Sequence, residues 1–289
     1  MSQIIDLIKE LRERTGAGMM DCKRALEATN LDVTAALDWL REKGITKTAN
    51  KASRIAAEGI THILSNGNRT IVLEVNCETD FVGRSDAFVA LVDKIAALIL
   101  KGNVSVLETA KELVAPLITE ATMKIGEKID LRRYQIIEAK GAEVIGGYVH
   151  MNGKISTIAL MTGVDKAFAD NMAMHITANN PQFIDSTSIP KEALEHETKI
   201  QREIVAQDEK LKGKPEAALA KIVEGKVSKV FRESTLSEQA YLLDEAGTAV
   251  GPILAKLNAK VLRFVRYAVG EGIEKRADNF AEEVLAQIK

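Results

Sequence analysis

One pattern occurs twice in this chain, and a duplicated pattern restricts the possible folds more than composition does. Asn66-Gly67, a hairpin-turn pair, is followed by Thr70-Ile71-Val72-Leu73, then Gly83, then Ala87-Phe88 where a helix opens. Asn152-Gly153 is followed by Thr157-Ile158-Ala159-Leu160, then Gly163, then Ala167-Phe168. The strands are offset by 87 positions and the helices by 80. The difference is the seven residues Asn76 to Val82, carried by the first copy alone. Each hairpin leaves one sheet face that must be covered by helices, so the expected class is α+β.

The inserted residues read Asn76-Cys77-Glu78-Thr79-Asp80-Phe81-Val82. They lie between Thr70 to Val75, whose β-branched alternation reads as a strand, and Ser85 to Leu100, whose apolar spacing reads as a helix. Inserted loops on a rigid scaffold tend to carry binding residues. A carboxylate beside a phenyl ring at such a tip reads as a wedge offered to another molecule. The competing reading makes Phe81 a cap on the local core and Asp80 a helix cap.

The rest of the chain divides around these two units. Residues 1 to about 45 read as three short helices, the first ended by Gly16 and Gly18. The second, Met19 to Ala28, turns Cys22, Ala25 and Leu26 inward, and Asp32 caps a third that runs through Lys43 to Gly44. Because Met19 and Met20 are adjacent they cannot share a face, so at least one is exposed. A basic tether with Lys47, Lys51 and Arg54 follows. A helix is expected from Val106 to Lys124 and a strand from Leu131 to Ala139. Pro190 to Glu233 reads as two antiparallel helices reversed at Lys212-Gly213-Lys214-Pro215, packed by a thin seam of Leu194, Ile204, Leu211, Leu219, Ile222 and Val230. Lys260 to Val269 alternates like a strand, and Ala277 to Ile288 reads as a terminal helix. The expected domains are 1–54, three helices and tether; 55–140, the first core subdomain; 141–186 with 234–263, the second; 187–233, the stalk; and 264–289, a C-terminal module.

Composition narrows the function. A formal net charge of −2 argues against nucleic acid as principal partner. Two cysteines, Cys22 and Cys77, make no disulfide framework and fit a reducing cytoplasm. No signal peptide or membrane-length apolar run is evident. Neither a P-loop pattern nor a strand-linked Gly-x-Gly-x-x-Gly occurs, so no nucleotide cofactor is expected. His62, His150, His175 and His196 lack ligand-like spacing, so no metal is expected either, and His175 reads as a core residue. Cys77 reads as structural, because a nucleophile would need a histidine held beside it. Nothing here indicates an enzyme.

Two long runs then carry a resemblance. Glu10-Leu11-Arg12-Glu13-Arg14-Thr15-Gly16-Ala17-Gly18-Met19-Met20-Asp21-Cys22-Lys23-Arg24-Ala25-Leu26 and Leu73-Glu74-Val75-Asn76-Cys77-Glu78-Thr79-Asp80-Phe81-Val82 resemble the two signatures of bacterial elongation factor Ts. Lys124-Ile125-Gly126-Glu127 and Val265-Arg266-Tyr267-Ala268-Val269-Gly270-Glu271-Gly272-Ile273-Glu274-Lys275 match further along. The resemblance implies a guanine-nucleotide exchange factor for elongation factor Tu in translation, with a UBA-like N-terminal domain and no covalent chemistry. It implies that Thr79, Asp80, Phe81 and Val82 dislocate magnesium from the partner GTPase, Phe81 inserting between its helices. Further partner contacts are implied for Arg12, Met19, Met20, Ile125, Gly126 and His150, and for the C-terminal segment. The stalk implies dimer or partner contacts. The chain departs from the family pattern after His150, where Met151 stands in place of a glycine.

Two readings of other classes compete with this one. In the first, a non-catalytic scaffold binds partners through its three helices and oligomerises through the stalk. In the second, the basic tether binds RNA.

Overall fold

The computed structural model of the chain describes residues 2–15, 19–51 and 54–273, with side chains at 4–11, 15, 19–42 and 54–273. Among the described residues, helices and two three-stranded sheets give an α+β architecture. It divides into two compact units, one of residues up to 136 with 151–155 and the segment from 267, the other of 137–150 with 156–266.

The first unit begins with α1 (Ser2–Thr15), α2 (Met19–Ala28) and α3 (Val33–Lys51). Cys22, Ala25 and Leu26 fall three and four residues apart, so they share one face and pack with Leu11, Ala36 and Leu40. Asp32 caps α3 as expected, its Oδ1 accepting from the amides of Thr34 (2.8 Å) and Ala35 (3.0 Å). The helix does not stop at Gly44. It continues to Lys51, through the segment read as a tether. An internal glycine costs a helix only about 1 kcal/mol, and Lys47, Ala49 and Lys51 are good helix formers. Gly16, Gly18 and the expected terminal helix at 277–288 lie outside the described residues.

Strands β1 (Glu58–Asn66) and β2 (Arg69–Cys77) form an antiparallel hairpin with Asn66 opposite Arg69. The turn is therefore Gly67-Asn68, one residue later than the Asn66-Gly67 reading, and Gly67 takes the left-handed φ of 61° that it requires. A four-residue helix, α4 (Asp80–Gly83), follows, then α5 (Asp86–Gly102), α6 (Leu107–Ile125) and β3 (Asp130–Glu138). β3 joins β2 as the third strand, and α5 buries Phe88, Val92, Ile95, Ala96 and Ile99 against Ile71, Leu73 and Val75.

A charged knot sits in this otherwise apolar sheet. The fully buried Glu74 carboxylate accepts from Arg132 Nη1 (3.0 Å), Arg133 Nε (2.6 Å), Asn76 Nδ2 (3.1 Å) and the Gly270 amide (2.8 Å). Arg133 also stacks over the Tyr267 ring at 4.2 Å. Four donors satisfy both carboxylate oxygens, which is what a buried charge requires. They also fasten the Tyr267–Gly270 segment to the sheet.

The second unit repeats the scheme. Strands β4 (Val144–His150), β5 (Ile155–Thr162) and β6 (Lys260–Ala268) form its sheet in that order, and α7 (Lys166–Asn179) packs on it. The duplication extends to the caps. Ser85 Oγ accepts from Phe88 N at 3.3 Å, and Asp165 Oδ1 accepts from Phe168 N at 2.8 Å. In the first copy alone, α4 stands between strand and cap.

Helices α8 (Lys191–Gln207) and α9 (Glu216–Ser234) pack against each other, and α10 (Val250–Lys256) precedes β6. Their seam keeps Leu211, Leu219 and Ile222 of the expected set and adds Val205, Val223, Val227 and Phe231. Leu219, Val223, Val227 and Phe231 fall four apart in a single ridge of α9, and Val205 and Leu211 meet them. Leu194, Ile204 and Val230 are exposed instead. His175 is a core residue, bonded to Gln239 and to the amide of Leu242, and burial lowers its pKa.

Candidate partner-binding site

The short helix α4 begins where β2 can no longer pair. Thr79 has extended backbone and caps it, Oγ1 accepting from Val82 N at 3.4 Å. Cys77 Sγ donates to Thr79 O at 3.1 Å. Ser85 Oγ donates to Val82 O at 2.8 Å, closing the helix from its far side. One face of the helix turns inward: Val82 packs on the sheet's core, and Gly83 is buried. A Cβ on Gly83 would stand 3.2 Å from Gly59 Cα, so this glycine lets α4 lie flat on β1.

The opposite face carries Phe81, 84% exposed, the most exposed large apolar side chain among the described residues. Exposing a phenyl ring on a helix anchored at both ends forgoes roughly 1.5–3 kcal/mol of burial. The reading of Phe81 as a core cap is therefore wrong. Asp80 stands beside it, half-buried, its Oδ2 3.0 Å from Arg84 Nη2 one helical turn on.

The base of this helix is held from a distant part of the chain. Glu127, on the turn after α6, accepts from Glu78 N and Thr79 N through Oε2 (both 3.0 Å) and from Thr79 Oγ1 through Oε1 (2.6 Å). Glu78 answers by accepting from Lys128 N at 2.6 Å. Arg54 pairs with Glu78 at 3.2 Å, and Lys128 Nζ donates to Arg54 O at 3.0 Å. Sequence reasoning missed Glu127, Glu78 and Arg84 as site residues. Glu127 stood in plain view, directly after Ile125 and Gly126 in a matched run.

The other expected residues fall in varied surroundings. Met19 and Met20 are both exposed, by 56% and 63%, at the start of α2. Arg12 lies on α1, and its side chain is outside the described residues. Ile125 packs against the first unit's core, while Gly126 ends α6 with a φ of 87° and is exposed. His150 closes β4 in the second unit, its ring stacked with Tyr148 at 6.0 Å. Met151 adopts a φ of 49°, a left-handed conformation that suits the glycine of the family pattern.

Burial, followed by the charges of Glu127 and Glu58, pushes the Cys77 thiol up to about 12, so it is no nucleophile near neutrality. Among the described residues no group of three or more His, Cys, Asp or Glu could hold a metal ion. Among them, too, no helix is long and apolar enough to cross a membrane.

An α+β scaffold that spends its one inserted segment on a braced, outward aromatic has the build of a protein that acts on another protein. The family model for elongation factor Ts matches residues 78–271, from the base of α4 to the end of the Glu74 knot, and the chain belongs to that family. Membership makes it a translation elongation factor, of a family that promotes guanine-nucleotide exchange on elongation factor Tu.

Proposed function

We propose that this protein binds the GDP form of elongation factor Tu and uses Phe81 and Asp80 to loosen the magnesium site, so that GDP leaves and GTP can enter. The carrying observation is the outward Phe81 on a helix anchored through Val82 and Gly83. A GTPase holds GDP through backbone amides, a lysine and a magnesium ion bridging phosphate and protein oxygens. Exchange requires no proton transfer. It requires only that the factor bind the nucleotide-free GTPase more tightly than the loaded one, and by linkage nucleotide then weakens factor binding by the same ratio.

Magnitudes decide how many contacts are needed. A ~10⁴-fold faster release asks for about 5.5 kcal/mol of barrier lowering. Burying Phe81 in the partner supplies roughly 1.5–3 kcal/mol. Asp80 adds charge near the partner's magnesium shell, where it competes for the ion's ligands. The remainder falls to further contacts at Arg12, Met19, Met20, Ile125, Gly126 and His150. Paired, exposed methionines suit such a contact because they adapt to the opposing surface.

In this reading the three N-terminal helices are a UBA-like partner-docking domain at 1–54, followed by core subdomains at 55–140 and at 141–186 with 234–263. The α8–α9 pair, 187–233, is a stalk for dimer or partner contacts, and 264–289 is a C-terminal contact module. The protein works in the cytoplasm, without cofactor, membrane or direct nucleic-acid contact. The test is affinity for purified elongation factor Tu with and without GDP. Tight binding to the empty GTPase that GDP reverses supports the proposal, and equal affinity for both forms overturns it.

A further inference from the structure

We infer that Glu127 is a positioning residue for Phe81, acting with Glu78 as a reciprocal carboxylate clamp that sets the direction of α4 before any partner arrives. This inference rests on the exchange reading above and extends it to a residue that touches no nucleotide.

A helix of four residues cannot hold itself, since a nucleus of that length costs more order than its bonds return. Its entry is a further weakness, because the amides of Glu78 and Thr79 leave the sheet and need new acceptors. One carboxylate meets both needs. Glu127 Oε2 takes the two amides at 3.0 Å each, and Oε1 takes the Thr79 hydroxyl at 2.6 Å. Hydrogen bonds to an ionised acceptor are about twice as strong as neutral ones.

The third bond has a consequence beyond bracing. A hydroxyl has one proton and rotates to suit its partners. With that proton given to Glu127, the Thr79 oxygen offers its lone pairs to Val82 N, which it caps at 3.4 Å. Glu127, Thr79 and Val82 thus form a hydrogen-bonded relay, and Thr79 and Val82 bracket Asp80 and Phe81 in the chain. Val82 is the residue pressed into the core, so fixing its amide fixes which way Phe81 points.

The clamp closes in the other direction through Glu78, whose Oε1 accepts from Lys128 N at 2.6 Å. Two neighbouring carboxylates would repel each other. Arg54, paired with Glu78, and Lys128, bonded to Arg54 O, place two cations at the junction. Gly126 makes the geometry available, since its left-handed φ of 87° ends α6 and turns the chain so that Glu127 faces Thr79.

A fold staple and a positioning residue differ in whether their effect passes through Phe81. The experiment is a double-mutant cycle on GDP release from elongation factor Tu, using Phe81→Ala, Glu127→Ala and the pair, with urea unfolding of each. Glu127→Ala is expected to slow release at saturating factor by about tenfold to a hundredfold while changing the half-saturating concentration little. In the Phe81→Ala background the same change is expected to cost under about twofold. Glu127→Gln, which keeps an acceptor oxygen for the two amides, is expected to recover most of the rate even if Glu127→Ala fails to fold.

Normal release with Glu127→Ala, or an equal loss in both backgrounds, overturns the clamp while leaving Phe81 in its role. So does a Glu127→Gln variant that folds and stays as slow as Glu127→Ala. Normal release with Phe81→Ala overturns both readings.

Discussion

Asp80 Oδ2 lies 3.0 Å from Arg84 Nη2, so the carboxylate proposed to act at the partner's magnesium site is already paired with the residue that caps the C-terminal end of α4. An exposed pair of this kind is worth only about 0.2–1 kcal/mol. The pairing restrains Asp80 without locking it. Arg84→Ala should therefore leave the urea midpoint nearly unchanged and GDP release at least as fast as wild type. Asp80→Ala should slow release by about tenfold, the equivalent of roughly 1.4 kcal/mol. Stopped-flow release of a fluorescent GDP analogue measures both.

Glu74 carries a heavier structural burden. It is fully buried, with Arg132 and Arg133 within 3.0 Å and the Gly270 amide on the same oxygen as Arg132. Removing one partner of a buried charge cluster strands the others and costs about 3–5 kcal/mol. Glu74→Ala should lower stability by an amount in that range, read as a shifted urea midpoint with an unchanged slope.

Cys77 gives a pH-dependent signature. Its thiol titrates near 12 in the folded protein, against a reference of 9.0, chiefly because it is buried. Over that window the folded state keeps a proton that the unfolded state loses, so stability should fall as pH rises from 9.0 towards about 12. Below pH 9.0 this group should contribute no slope. Alkylation of Cys77 at neutral pH should be about a thousandfold slower in native protein than in urea, as thiolate is the reactive form.

Met151 occupies a left-handed conformation, φ 49°, with its side chain exposed. A Cβ in that region costs roughly 1–2 kcal/mol, and glycine's extra freedom in the unfolded chain takes back part of the relief. Met151→Gly should stabilise the protein by about 0.5 kcal/mol in thermal unfolding.

The parts legible in the sequence were those governed by near neighbours. The strand alternation, the Asp32 cap and the inward trio Cys22, Ala25 and Leu26 follow from spacings of two, three and four. The insertion was legible because the chain supplies its own reference copy, and Phe81 stood out because it sits at the strand-to-helix tip of that insertion. Other features depend on tertiary contacts. Glu127 reaches Thr79 across 48 positions, and no periodicity announces that meeting. Val205 rather than Ile204 lies in the α8–α9 seam, a choice set by how the helices rotate against each other. Adjacency required that at least one of Met19 and Met20 be exposed, and the structure exposes both. The end of α3 was misread because a glycine stops a helix only where it turns left-handed.

The most direct measurement is GDP release from elongation factor Tu with Phe81→Ala at saturating factor, alongside its urea unfolding curve. The side chain is 84% exposed, so the midpoint should not move, while release should slow by about tenfold to a hundredfold. A folded Phe81→Ala protein that releases GDP at the wild-type rate would contradict the account.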